Sequence, residues 1–593
     1  LLLNTMGIPH LLNHLSPYGV LGPIDGDRVV IDGPALAYHI YHLCTRSTSG
    51  LPSYGLLGRT ALAWLDKLTS HDISIAAIYF DGFLPTSKSE VRLERILKVS
   101  SSLKSYRSGF PNGCPARQIA STRISLPPLF PTDAPKRDQP LIPPPPFLVA
   151  AIVDKLCQTT KYATLVRLVP GEADAYCAED VLRNGGTILT SDSDLTIHDL
   201  KTGAVAFFRD LHVASASERD SLVGSKFSPS DIAKRLQLPE EQGMRRFGYE
   251  LAKSSRPKFA QVLENCKGDV SDPDEFRNFC VPYQTLETTD WSDVPVLSGI
   301  DNPTLDARLS EVVLQCVGYS GVAKPPPGDS GAEGCMMCLP PLLDCPARAS
   351  AWDSSASIRQ LAYSLTCLLR PGAVSHVREY RRIYSGANQG KHVAMLPRPW
   401  IKDSMDSLLA TLSQAKRDLK HEVSAWQAVA VQLVLAYAQE EDKQEACLNS
   451  IKQVLSVAKD SNLVPWDVVH LSAQIQATLY SLRILAQVLD LMYEIKAEKP
   501  VQGSKQLREL LATLPPLTEY PSVNGTIVLL ASMKANNALA KITAALNLPE
   551  EALLPSKESK GQKKKRKKTI ETEPGTRPQK KMSSNPFDIL GIE

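Results

Sequence analysis

Across the first 210 or so positions, short apolar runs alternate with stretches whose apolar residues recur at helical spacing. The runs at 28–32, 75–81, 164–169, 187–190 and 204–208 have strand length, and the stretches at 33–43, 57–68, 87–103, 146–158 and 172–183 read as helices. This alternation predicts an α/β fold: a mostly parallel sheet with flanking helices on both faces, and ligands gathered at the carboxyl ends of the strands. It is interrupted once. Residues 109–146 are rich in proline, poor in periodicity and close on the prolines at 143–146. They are expected to form a mobile insertion over one edge of the domain.

The pattern weakens between 210 and 400, where 228–236 and 244–265 read as helices and 324–331 as a Pro/Gly linker. From 404 onward it is almost entirely helical, with stretches at 404–420, 422–441, 466–496, 505–514 and 526–546 and no fixed repeat period, which predicts a helical bundle. Beyond about 555 the composition turns to Lys, Glu, Gly and Pro, and this tail is expected to be disordered. The chain is thus partitioned into 6–210, a middle region 211–400, a helical domain 401–550 and a basic tail 555–593.

Charge separates the tail from the body. The whole chain carries a formal +3; positions 557–581 hold eleven Lys or Arg against three Glu, a net +8, so the remainder sits at about −5. A nucleic-acid site on the body must therefore be a local basic patch. The run 563–568, Lys-Lys-Lys-Arg-Lys-Lys, fits a nuclear-import signal better than a non-specific nucleic-acid patch, so a nuclear location is expected, with the cytoplasm as the alternative. No signal-peptide pattern and no membrane span is read: the nearest apolar run, 425–438, is broken by Gln427 and Gln432. The cysteines are mostly scattered singly, which suits free thiols in a reducing compartment. Cys335 and Cys338 with Cys345 look like half a zinc site and lack a second pair.

Candidate chemistry lies in six acidic residues. Asp32 and Asp81 end predicted strands, Glu172 and Asp174 open the helix after 164–169, and Asp192 and Asp194 follow 187–190, so all six are expected at one edge of the sheet. Singly they have ordinary readings: a turn at Asp81-Gly82, a cap at Asp192 and Asp194, first-turn acids at Glu172 and Asp174. Together they repel, and some would take up protons unless cations neutralise them. Mg²⁺ suits such a set, because it takes a few carboxylates and leaves room for a substrate phosphate. Two such ions about 4 Å apart can activate a water and stabilise the leaving oxygen of a phosphodiester.

Met6-Gly7-Ile8-Pro9-His10-Leu11-Leu12, Val30-Ile31-Asp32, Phe80-Asp81-Gly82, Gly171-Glu172-Ala173-Asp174 and Thr190-Ser191-Asp192-Ser193-Asp194 resemble, in order and spacing, the PIN-like flap endonuclease superfamily that includes the xeroderma pigmentosum group G nuclease. The resemblance implies that Asp32, Asp81, Glu172, Asp174, Asp192 and Asp194 are ligands of Mg²⁺ or Mn²⁺. It implies that Lys88 and Arg95 hold the scissile phosphate, that Tyr38 stacks on a base near the cut, and that Gly7 lies near the site. The sequence departs from the superfamily in two ways. A further aspartate, in a Gly-Ser-Asp segment, is absent downstream of Asp194, so a second ion is expected to be weakly held; the duplex-gripping helix–hairpin–helix element is also absent. Instead the region from Phe227 to Trp352 is similar to the Asteroid branch, with segments such as Phe247-Gly248-Tyr249-Glu250-Leu251-Ala252-Lys253 and Ile358-Arg359-Gln360-Leu361-Ala362-Tyr363-Ser364.

Two functions are compatible with these features. The first is a metal-dependent, structure-specific nuclease acting on single-stranded or structured DNA, with RNA as the alternative substrate, as in DNA repair. The second is a PIN-like scaffold with little or no catalysis that binds RNA, DNA or protein partners. Protein partners would dock on the helical half or on the apolar motif at 585–590. The six retained acids favour the nuclease, since clustered unpaired carboxylates cost stability.

Overall fold

Arg28–Asp32 and Thr187–Thr190 are buried along almost their whole length, which is why they read as unbroken apolar runs rather than alternating ones. In chain order the strands are β1 (Val20–Pro23), β2 (Arg28–Asp32), β3 (Ser74–Asp81), the short β4 (Cys114–Pro115), β5 (Val166–Val169), β6 (Thr187–Thr190), β7 (Ala204–Phe207), β8 (His212–Ser215) and β9 (Asp220–Phe227). All but β4 form one sheet in the order β1-β9-β7-β6-β2-β3-β5, with β8 also on β9. The pairs β2/β3, β2/β6, β3/β5 and β6/β7 are parallel, and β9 runs antiparallel to β1, β7 and β8. The chain builds outward from β2 to β3 and β5 and then crosses to β6, so the strand order reverses at β2/β6. A crevice at the carboxyl ends of the strands is expected at that point.

The computed structural model describes residues 7–46, 50–85, 88–119, 125–130, 142–215, 220–240, 242–253, 258–284, 305–319, 334–370, 374–384, 390–420, 424–456, 462–494, 502–549 and 553. The helices Gly33–Arg46, Tyr54–Thr69 and Leu148–Cys157 bury Leu36, Ile40, Leu57, Trp64 and Ile152 against one face of the sheet. Leu11–Leu15, Ala173–Asn184 and Gly243–Ala252 bury Leu11, Cys177, Val181 and Phe247 against the other. The helix after β2 starts at the strand end only because residue 33 is glycine. A Cβ there would lie 2.6 Å from the Tyr79 carbonyl oxygen and the Phe80 ring.

The middle region adds a small sheet of β10 (Gly334–Cys338), β11 (His376–Tyr380) and β12 (Lys391–Ala394). The C-terminal half is helical, built on the long helix Trp466–Glu494, which is buried nearly all round by its neighbours. One apolar cluster runs unbroken from Ile31 and Trp64 through Trp352 to Tyr480 and Leu530, so the α/β core and the helical half share an interior. No described helix is long and apolar enough to cross a membrane.

Several expectations change. The helix expected at 244–265 is two among the described residues, Gly243–Ala252 and Phe259–Lys267. The helix expected at 526–546 is also two, Val523–Ala535 and Ala538–Ala545, parted at Asn537 with φ 59°. The insertion 109–146, expected to be mobile, is anchored in its described part. There β4 pairs with β13 (Leu463–Val464), the Trp466 indole donates to the Phe110 carbonyl at 2.7 Å, and Cys114, Ile119 and Ile142 are buried. Cys335 and Cys338 lie on β10; Cys335 Sγ is 3.6 Å from Cys316 Sγ, while Cys345 neighbours Cys114. The linker 324–331, the tail 555–593 and its 563–568 and 585–590 motifs lie outside the described residues.

Candidate metal centre and nucleic-acid site

The parallel strands deliver their acids at one edge. β2 ends on Asp32, β3 ends on Asp81, and β6 ends on Thr190, two residues before Asp192. After β5 the chain turns through Gly171 (φ 85°), which sets Glu172 at the N-cap and Asp174 in the first turn of Ala173–Asn184. Asp192 caps the following turn by accepting the Asp194 N–H at 2.9 Å. The Ile8 N–H donates to Asp194 Oδ1 at 3.0 Å, with Gly7 against the same carboxylate, which is where the resemblance expects that glycine.

Hydrogen bonds tie neighbouring strands together through these acids. The Thr190 hydroxyl donates to Asp32 Oδ2 at 2.6 Å and accepts the Asp192 N–H at 2.9 Å. The other oxygen of Asp32 accepts the Ala35 N–H at 3.1 Å, and Asp81 Oδ1 accepts the Ala173 N–H at 2.9 Å. The loop after Asp81 is held equally closely: a Cβ on Gly82 would lie 2.1 Å from the Val169 carbonyl oxygen.

Burial and mutual repulsion push four of these carboxylates upward. Desolvation, with the charges of Asp81 and Asp192 adding to it, raises Asp32 to about 7. Desolvation and the charges of Asp32, Asp192, Asp81 and Glu172 hold Asp174 well above the usual carboxylate range. Asp194 is raised to about 6 by burial and by Asp192, and Asp81 is raised by burial. The six predicted acids therefore form one electrostatically coupled group. Among the described residues, no group of three or more His, Cys, Asp or Glu is arranged so that it could hold a metal ion as it stands. The donor set is all carboxylate oxygen and partly desolvated, which is the ligand chemistry Mg²⁺ or Mn²⁺ takes.

Lys88 stands at the N-cap of the helix Ser89–Gly109 and pairs with Glu172 at 3.0 Å. Arg95 and Arg92 lie within electrostatic reach of Asp81. Tyr38 is 47% exposed on the helix that leaves Asp32, the exposure an unstacked base would need.

Some residues at the site gave no local signal in the sequence. Thr190 bridges two acids yet reads as an ordinary strand residue. Arg92 lies on the same helix between Lys88 and Arg95 and carries no motif of its own. Tyr283, from the middle region, donates to Asp194 Oδ2 at 3.5 Å, and only the folded chain brings these two together. Burial and the nearby Asp194 and Asp192 charges raise the Tyr283 hydroxyl, so it remains a proton donor.

The chain is similar to known proteins. Residues 144–393 match a family model described as "XPG domain containing". That span holds Glu172, Asp174, Asp192 and Asp194 together with most of the middle region; Asp32, Tyr38, Asp81, Lys88 and Arg95 precede it. The chain is also similar to "Asteroid homolog 1" of Schizosaccharomyces pombe (strain 972 / ATCC 24843), with 22% identity over 399 residues, 64% of this chain and 64% of that protein. It thus spans somewhat less than two thirds of the length of the curated relative it matches.

Proposed function

We propose, for a chain that carries a domain of the XPG (flap endonuclease) family, a metal-dependent nuclease that hydrolyses phosphodiester bonds in single-stranded or structured DNA, with RNA as the alternative substrate. The observation that carries the reading is the coupled set Asp32, Asp81, Asp174, Asp192 and Asp194 with Glu172 at the switch point of the sheet. A crowded set of carboxylates in which Asp32, Asp81, Asp174 and Asp194 are all raised is a poor structural element and a good cation site. Asp32, Asp81, Glu172 and Asp174 would hold one Mg²⁺ or Mn²⁺, and Asp192 and Asp194 would contribute to a more weakly held second. When bound, the metal supplies a water of lowered pKa and charge stabilisation at the phosphate.

The chain's own groups do the rest. Lys88 and Arg95, on the helix that follows Asp81, would bind the non-bridging oxygens of the phosphate and offset the charge that builds as the bond breaks. Lys88 would leave Glu172 to do so, an exchange of one carboxylate partner for a phosphate partner. Tyr38 would stack on an unpaired base and set the register of the strand. Outside the basic tail the chain is net negative, so these few basic groups would govern where a strand can lie.

The test is calorimetric titration of Mn²⁺ into the full chain and into Asp81→Ala/Asp192→Ala, with cleavage of labelled single strands, overhangs and flaps as DNA and RNA. The reading expects metal uptake and metal-dependent cutting that the double variant lacks. Equal cutting by both proteins would sink it.

The Lys88–Glu172 ion pair favours a second reading, a scaffold that binds nucleic acid without cutting it, since a lysine already neutralises one acid. Binding of the same panel with no Mn²⁺ uptake would select it.

A further inference from the structure

Tyr283 reaches the carboxylate group from well outside the first 210 residues. It ends the turn Val281–Tyr283 that follows the helix Pro273–Cys280. Its ring is fixed on two sides: His198 meets it edge-on at 5.3 Å, and Phe279 lies against it at 5.3 Å. The ring so held points its hydroxyl at Asp194 Oδ2, 3.5 Å away, while Asp194 Oδ1 is taken by the Ile8 N–H.

Within the turn Asp192 accepts the Asp194 N–H and Asp194 takes a hydrogen bond from the Ser193 side chain, and from outside the turn Asp194 has the Ile8 and Tyr283 contacts. Asp194 therefore has its orientation set by two separate parts of the chain, the segment before β1 and the middle region. A phenol suits this place physically. It donates a hydrogen bond without adding charge, whereas a further carboxylate would add repulsion and a lysine would compete with a cation.

We propose that Tyr283 is a positioning residue of the metal centre, whose hydroxyl orients Asp194 to receive a divalent cation. The proposal rests on the reading of the acids as a metal site. It makes the middle region a working part of that site rather than an appendage to it. Partners that orient a metal-binding group commonly change affinity by about 10–100-fold when removed.

The experiment is Mn²⁺ calorimetry on the full chain at neutral pH, comparing wild type with Tyr283→Phe, alongside thermal melts of both in chelator. Phenylalanine keeps the ring between His198 and Phe279 and removes only the hydroxyl. The expected result is about a tenfold or greater loss of Mn²⁺ affinity with an unchanged melting temperature in chelator. Unchanged affinity would overturn the role of Tyr283 alone. So would a loss of affinity matched by a lowered melting temperature, because packing would then suffice as the cause. A wild type that takes up no Mn²⁺ would remove the metal-site reading itself, and Tyr283's role with it.

Discussion

Glu311, buried on the helix Ala307–Val317 of the middle region, forms an ion pair with Arg92 of the helix Ser89–Gly109 and accepts the Leu84 N–H at 2.9 Å. One carboxylate thus grips both ends of the segment 84–92 that carries Lys88, five residues beyond Phe83. Four residues along the same helix, Gln315 exchanges two hydrogen bonds with the backbone of Met336 on β10. At the start of the helix, Arg308 reaches the Tyr480 hydroxyl on the long C-terminal helix at 3.5 Å. A continuous set of polar contacts therefore joins the helical half to the basic helix beside the acids.

Glu311→Ala would leave Arg92 buried without its carboxylate and Leu84 without its acceptor. Removing one partner of a buried pair costs about 3–5 kcal/mol. The expected outcome is a clear drop in the denaturant midpoint, with faster amide exchange at Leu84 than at strands β2 and β6. Protection at Leu84 equal to wild type would show that the loop is held by something else.

The parallel core was legible because central strands buried on both faces spell themselves out as apolar runs, as at Val29-Val30-Ile31. The acids were legible because a parallel sheet puts every such run's last residue at the same edge. β1 and β9 were not, since Gly22, Pro23 and Gly224 break the run and pairing alone makes them strands. Glu311 and Tyr283 were illegible for a different reason. Their partners are 219 and 89 residues distant, and no local pattern encodes a contact of that range.

Glu379 sits between two arginines in the middle region. Arg359 donates to both of its oxygens, at 2.6 and 3.0 Å, Arg381 pairs with it as well, and the Tyr363 hydroxyl donates at 2.8 Å. Despite full burial, the arginines hold its carboxyl down at about 2. Because the folded value lies below the unfolded one, its stabilisation is fully present above about 4.5 and is lost as pH falls toward 2. Glu379→Gln should cost about 3–5 kcal/mol at neutral pH and flatten the fall in stability across that acid window. A variant that melts like wild type at pH 7 would show the arginines are satisfied by other groups.

His470, buried on the long helix, accepts the Cys345 N–H at 3.3 Å through its ring and is held neutral by burial, its pKa lowered to about 3. Here the unfolded chain takes the proton first. The associated stability is whole above about 6.5 and declines as pH falls toward 3, by up to about 1.4 kcal/mol per pH unit. His470→Gln keeps an acceptor for Cys345 and removes the titration, so its stability should fall less steeply than wild type between pH 6.5 and 4. Parallel curves for the two proteins would rule out His470 as a source of the acid sensitivity.

Asp174 has the opposite sign from Glu379, and this separates a metal site from an ordinary buried acid. Burial and four neighbouring carboxylates raise its pKa, so the fold favours its protonated form, and the metal-free protein loses stability as pH rises past the unfolded carboxylate range. Asp174→Asn abolishes that penalty. In chelator at neutral pH the variant should be more stable than wild type by about 1–2 kcal/mol, a shift of a few degrees in Tm. The gap should narrow as pH falls toward about 4, where the unfolded group too begins to take up its proton. In saturating Mn²⁺ the order should reverse, because the cation stabilises only the protein that still has the full set of acids. Thermal melts in chelator and in Mn²⁺, each at pH 4.5 and pH 7.5, measure all of these terms. If the variant melts below wild type in chelator at pH 7.5, the cluster is not a store of repulsion. A cation would then have no repulsion here to relieve.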